Sequence, residues 1–324
     1  MRKKVFITRS ILPDGADLMR AEGLIVDISE LDRPMTYEEL KSKAHSYDAL
    51  ITMLTDQIDE AFLHDNSHLK VISNYAVGFN NIDVLKASAL KIPIGNTPNV
   101  LTEATAEVAL GLMIAASRNF LSAERSAENG LWKNWHPTEH IGFALSGKTL
   151  GIIGLGRIGQ RLAGMCAHAF NMKIIYLANS EKENSLSATK VELSELLANS
   201  DFISLHVPLN NSTKKMIGKA EFKSMKKNAV LVNTSRGEII DQAALINALK
   251  ENLIFAAGLD VTDPEPLPKD NELFQLKNAI VLPHIGSATY EARRAMSVLA
   301  AKNIIAGLKG LPLEAWVNKK DLLP

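Results

Sequence analysis

Three side chains in the second half of the chain have the chemistry of a site that grips an anion and moves a proton. Arg236 follows the apolar run in "NAVLVNTSRGEIID", Glu265 lies just past the strand-like run of "AAGLDVTDPEPLP", and His284 ends the strand-like run of "NAIVLPHIGSAT". A guanidinium holds carboxylate or carbonyl oxygens in a fork of N–H donors. An imidazolium can give a proton to a carbonyl oxygen, and an adjacent carboxylate favours its charged form. Singly, the arginine reads equally as a surface cap, the glutamate as a solvated turn residue and the histidine as a satisfied structural group. Together they supply what the reduction of a 2-oxo acid asks of a protein, provided a bound nucleotide brings the hydride.

The stretch "KTLGIIGLGRIGQRLAG", Lys148 to Gly164, is where that nucleotide would sit. Gly154, Gly156 and Gly159 have the G-x-G-x-x-G spacing between an apolar strand and a helix start. The first glycine permits a tight turn, the second lets backbone approach a pyrophosphate, and the third lets the helix pack on its strand. The helix N-terminus offers unpaired N–H groups to the anion. Such turns also serve plain strand–helix packing, so the flanking strand and helix give the motif its meaning. NAD-selective sites place an Asp or Glu roughly 20 residues on. Here "MKIIYLANSEKEN" puts Ala178, Asn179 and Ser180 at that strand end. NADP(H) is favoured, with Asn179, Ser180 and Lys182 facing a 2′-phosphate. NAD(H) stays open, because Glu181 opposes a phosphate and no arginine clamp is present.

Strand ends must position these groups. "KVFIT", "DALITML", "KVISNYA" and "IPIGNT" read as buried parallel strands separated by amphipathic helical stretches. A single long helix is expected over "TEATAEVALGLMIAASRNFLSAERSAENG", closed by Gly130. A second strand–helix series starts at the glycine motif, and the helix "YEARRAMSVLAAKNIIAGLKG" follows it. At 324 residues two domains are the default. Since the glycine motif opens only the second series, a ligand is expected where the domains meet.

Lys+Arg and Asp+Glu balance at 36 each, which argues against a nucleic-acid footprint. No run is long and apolar enough for a signal peptide or a membrane span, so no membrane partner and a cytoplasmic location are expected. The lone Cys166, in "LAGMCAHAF", reads as a small core residue. His136 and His140 lack companions at ligand spacing, so no metal site is expected.

The sequence resembles the D-isomer-specific 2-hydroxyacid dehydrogenases, and within them the glyoxylate/hydroxypyruvate reductase branch. The motifs "GIIGLGRIGQ", "HVPLNNST", "VNTSRGEIID", "GLDVTDPEPLP" and "LPHIGSAT" carry the resemblance in order, with "NYAVGFNNID" and "VLTEATAEVALGLMIAASR" upstream. It implies an α/β fold of two doubly wound parallel sheets, with a Rossmann-type cofactor domain (101–287) inserted in a flavodoxin-like substrate domain (1–100 plus 288–324). It implies Arg236 as substrate binder and His284 as acid/base paired with Glu265. Val77 and Gly78 would offer amides to the substrate carboxylate, and Leu54 would line the pocket. Thr105, Arg157 and Ile158 would contact cofactor phosphates, Val207, Pro208 and Thr213 the adenosine half, and Thr234, Asp260 and Gly286 the nicotinamide half. A homodimer is implied, with Trp135, in the loop "LWKNWHP", reaching the partner's site. The substrate implied is a small 2-oxo acid, reduced to the 2-hydroxy acid. 2-Ketogluconate reductase, D-lactate or phosphoglycerate dehydrogenase, and a non-catalytic dinucleotide sensor remain as other readings.

Overall fold

Twelve strands among the described residues form two sheets, and neighbouring strands run parallel throughout. The computed structural model describes residues 2–181 and 187–322. The smaller sheet holds β1 (Lys4–Ile7), β2 (Ile25–Ile28), β3 (Ala49–Thr52), β4 (Val71–Asn74) and β5 (Ile94–Gly95), in the order β2-β1-β3-β4-β5. This is the flavodoxin-like doubly wound order. The larger holds β6 (Thr149–Ile153), β7 (Lys173–Leu177), β8 (Thr189–Lys190), β9 (Phe202–Leu205), β10 (Val230–Asn233), β11 (Ala256–Leu259) and β12 (Ala279–Val281). Its order, β12-β11-β10-β9-β6-β7-β8, is the dinucleotide-binding order with a further strand at the β12 edge. The α/β class expected from the sequence holds. The chain divides into two compact units, Met1–Leu101 with Ala288–Pro324, and Thr102–Ser287.

The strands are short and apolar because a parallel sheet covered on both faces buries nearly every position. β3, β9 and β10 are buried at all four residues. Alternate residues serve opposite faces. Phe6, Leu50, Ile72 and Ile94 point into one core with Leu40, Ala44, Phe62 and Leu63 from the covering helices. Helix Tyr290–Leu308 packs on β3 and β4 and against helix Asp14–Ala21. Ser297 Oγ donates to Leu12 O (2.7 Å), and Asn303 Nδ2 donates to Asn96 O (3.0 Å). In the larger unit Leu150, Ile152, Phe202, Val230 and Val232 face Leu162, Ala163 and Cys166. Ile153, Ile203, Leu205 and Leu231 face Leu196, Phe222, Leu245 and Leu249 on the other side. Burial pushes the Cys166 thiol up to about 12, which suits a core residue and no reactive one.

The expected single helix divides. One helix ends at Ser117 and another spans Phe120–Glu128, with Asn119 between them at φ 55°. The Ser117 carbonyl accepts from Phe143 N–H (2.8 Å), and Asn119 Nδ2 donates to Ile141 O (2.9 Å). The returning chain takes the bonds a continuous helix would need. β2, absent from the sequence reading, is an edge strand only partly buried, and so lacks the apolar run of its neighbours. β3 and β12 end early, leaving Leu54 and His284 in the following loops rather than at strand ends.

Leu50 is fully buried, whereas Leu85 is 80% exposed. Leu50→Ala should cost about 2–5 kcal/mol of stability, and Leu85→Ala no more than about 0.5. Urea unfolding of the two variants measures the contrast.

Candidate active site

The glycine turn joins β6 to helix Arg157–Phe170, next to β9, where the strand order reverses. Gly154 has φ 98°, and a Cβ there would lie 2.7 Å from the His206 carbonyl at the exit of β9. A Cβ on Gly159 would meet Gly154 O at 2.5 Å, so helix and turn pack in direct contact. Gly156, the helix N-cap residue, has nothing within 4 Å of its Cβ position. An open backbone at a helix N-terminus is what a pyrophosphate requires. Arg157 is exposed in the first turn and Ile158 half-buried beside it. Thr234 Oγ1, past the end of β10, is buried with no hydrogen-bond partner among the described residues. That hydroxyl could satisfy itself on a ligand carboxamide. These residues fit a nicotinamide dinucleotide.

Asn179 and Ser180 are exposed beyond β7, while Lys182 lies outside the described residues. Val207 is half-buried and Pro208 exposed. Thr213 shapes their loop, its hydroxyl donating to Pro208 O (2.6 Å) and accepting from Asn210 N–H (2.9 Å). Thr105 is buried within helix Thr102–Ser117.

Arg236, Glu265 and His284 all leave the carboxyl rim of the larger sheet, after β10, β11 and β12. His284 Nδ1 lies 3.0 Å from Glu265 Oε2. An ionised carboxylate only accepts, so Nδ1 carries the proton and Nε2 is the nitrogen left to face a substrate. The two side chains are 27% and 32% exposed, enough for access. Burial works to raise the Glu265 carboxyl, but His284, the Thr262 amide and Arg236 together hold it below its ordinary value. Burial lowers the half-buried Arg236 guanidinium, with Glu265 and Glu238 opposing. A cation in that situation is stabilised by an arriving anion.

His284 has φ 54°, a left-handed conformation uncommon outside glycine. Asp260 maintains it. The His284 amide donates to Asp260 O (2.9 Å), and the Ile285 and Gly286 amides donate to its two carboxylate oxygens (2.7 Å each). Burial nevertheless leaves the Asp260 carboxyl above its ordinary value. Asp260 and Gly286 are thus bonded to each other.

In the smaller unit, Leu54, Val77 and Gly78 are half-buried in loops after β3 and β4. Asn74 Nδ2 donates to Gly78 O (2.9 Å). Asn81 Nδ2 donates to Met53 O (3.1 Å) and Asp56 O (2.9 Å). Asp56 accepts from Thr8 Oγ1 (2.5 Å) and Met53 N–H (2.8 Å). Trp135 is 82% exposed.

Residues 110–286 match the sequence profile of the D-isomer specific 2-hydroxyacid dehydrogenase, NAD binding domain. The chain belongs to this family. It is 46% identical to a glyoxylate reductase of Thermococcus litoralis over 99% of this chain and 98% of that relative. A solved glyoxylate reductase from Paecilomyes thermophila superposes with a TM-score of 0.86 at 32% identity, covering 98% of this chain and 99% of that one. An NADPH-dependent glyoxylate/hydroxypyruvate reductase from Sinorhizobium meliloti, solved with NADP and malonate, superposes at 0.87 with 28% identity, covering 99% and 98%. As a member of the 2-hydroxyacid dehydrogenase family the protein is an oxidoreductase using a nicotinamide dinucleotide.

Sequence reasoning passed over Asn74, Asn81 and Asn233, polar residues inside otherwise apolar or turn-like stretches. It also passed over His206, although "HVPLNNST" contains it. His206 Nε2 lies 2.8 Å from Ser204 Oγ, and burial pushes its imidazole down to about 4. The unfolded chain would protonate this histidine near 6.5 while the folded chain does not, so stability falls as pH drops from 6.5 to 4. This acid destabilisation amounts to about 3 kcal/mol. Urea unfolding at pH 7 and pH 4 should show a smaller acid loss for His206→Gln than for the parent.

Proposed function

We propose that the enzyme reduces a small 2-oxo acid, glyoxylate or hydroxypyruvate, to the 2-hydroxy acid, of D configuration where the product is chiral. The hydrogen bond between His284 and Glu265, on the rim that carries Arg236, is the observation on which the reading rests. Reduced nicotinamide dinucleotide, when bound, supplies the hydride. Arg236 holds the carboxylate and polarises the carbonyl oxygen. In the reduction direction His284 acts as the imidazolium, giving its Nε2 proton to that oxygen and keeping Nδ1–H on Glu265. In the reverse direction the neutral ring takes the proton back at Nε2. Glu265 keeps the ring in the tautomer and orientation this needs. The amides of Val77 and Gly78 take the substrate carboxylate, and Leu54 contacts the substrate's apolar side.

Gly154, Gly156, Gly159, Arg157, Ile158 and Thr105 serve the cofactor phosphates, Val207, Pro208 and Thr213 its adenosine half, and Thr234 the nicotinamide half. Asp260 and Gly286 border that half while building the His284 turn. With Ala178 in place of a carboxylate, NADPH is preferred over NADH, and Asn179 and Ser180 meet the 2′-phosphate. The enzyme acts in the cytoplasm as a homodimer, to which Phe120, Trp132 and Trp135, all more than half exposed, contribute apolar area.

A steady-state assay with glyoxylate, hydroxypyruvate, pyruvate and 2-ketogluconate, each with NADPH and NADH, tests the reading. Fast turnover of one of the first two with NADPH is expected, and none with any pair would sink it. His284→Ala should lower kcat by about 10²–10⁴ while dinucleotide affinity stays near normal. Ala178→Asp should shift the NADPH/NADH ratio of kcat/KM towards NADH by about tenfold or more. An unchanged ratio counts against the role given to that position.

A further inference from the structure

We infer that Asn233, the last residue of β10, is a positioning residue that sets the substrate-binding arginine and registers it against the acid/base pair. The inference rests on the role proposed for Arg236. Asn233 is fully buried, where an amide is costly unless it is hydrogen-bonded. It closes a turn. Its Oδ1 accepts from the amide (3.0 Å) and hydroxyl (2.8 Å) of Ser235, and its Nδ2 donates to the Arg236 carbonyl (2.8 Å). Because a backbone N–H faces one end of the amide and a carbonyl the other, its orientation is fixed. Within the turn Arg236 Nη1 donates to Ser235 O (2.6 Å). The main-chain carbonyl of Asn233 accepts from Asp260 N–H (2.9 Å), tying the same residue to the strand exit that builds the His284 turn.

The next residue carries the placement across to Glu265. A Cβ on Gly237 would fall 2.0 Å from the carbonyl carbon and oxygen of Thr262, so the turn is pressed on the loop after β11. In that loop the Thr262 amide donates to Glu265 Oε1 (3.1 Å), and Glu265 Oε2 meets His284. Asn233 therefore governs how Arg236 stands relative to the pair. Asparagine alone among residues of its size offers both the acceptor for Ser235 and the donor for Arg236. Aspartate keeps the acceptor and sets an oxygen lone pair against the Arg236 carbonyl.

The test is a mutant cycle on the full-length enzyme with glyoxylate and NADPH. Asn233→Asp should raise KM for glyoxylate about tenfold, with kcat less affected and the dinucleotide Kd within about threefold of the parent. In an Arg236→Ala background the same change should alter kcat/KM by less than about twofold, because a residue acting through Arg236 has nothing left to position. Equal losses in both backgrounds, or a parent-like KM for Asn233→Asp where Arg236→Ala is crippled, overturn the inference and leave the role of Arg236 standing. A parent-like Arg236→Ala overturns both. If Asn233→Asp does not fold, Ser235→Ala, which removes only the hydroxyl bond to Oδ1, replaces it in the cycle with an expected rise in KM of about twofold to threefold. Its additivity with Arg236→Ala then decides by the same criterion.

Discussion

Three consecutive amides, those of His284, Ile285 and Gly286, converge on Asp260, and the proposed chemistry depends on that convergence. A histidine in the left-handed region stays there only where its surroundings over-determine it. Here the buried Asp260 carboxylate and its own backbone carbonyl take these three N–H groups. The ring is then presented to Glu265 at hydrogen-bonding distance, and the nitrogen that would meet a substrate is chosen by elimination rather than by any contact of its own.

A buried polar side chain serves in the same way at three strand exits of these parallel sheets. Past the last ladder bond the backbone has groups to satisfy and no neighbouring strand to satisfy them. Asn74, Asn233 and Asp260 stand at or just after the ends of β4, β10 and β11, all buried; Asn74 and Asn233 bond the loop that follows their own strand, and Asp260 bonds the loop that follows the neighbouring β12. A hydrophobic residue there would pack as well, but the loop would lose its template.

This explains which parts were legible in the sequence. The α/β class, the glycine turn and the rim residues announce themselves through apolar runs and residue chemistry, and the strands that hold them are buried on both faces. β2 was not legible, because an edge strand mixes exposed and buried positions. The break at Asn119 was not legible either, since it is made by bonds from Ile141 and Phe143, more than twenty residues on. Asn74 and Asn233 lie within "NYAVGFNNID" and "VNTSRGEIID", where nothing in the residue pattern marks them. Composition does not distinguish an amide that templates a turn from one facing solvent.

The smaller unit is assembled from two stretches separated by 102–287, and helix Tyr290–Leu308 supplies one covering of its sheet. On a ribosome adding roughly 5–20 residues per second, the first hundred residues emerge about 10–40 seconds before that helix does. During that interval Val71, which sits against Gly307 in the finished fold, and the polar groups of Ser73 and Asn96 that meet Asn303 have no cover. The cofactor unit, continuous in sequence, can close first. The amino-terminal sheet, encoded first, is thus completed last, by a helix that leaves the ribosome just behind β12 of the inserted unit.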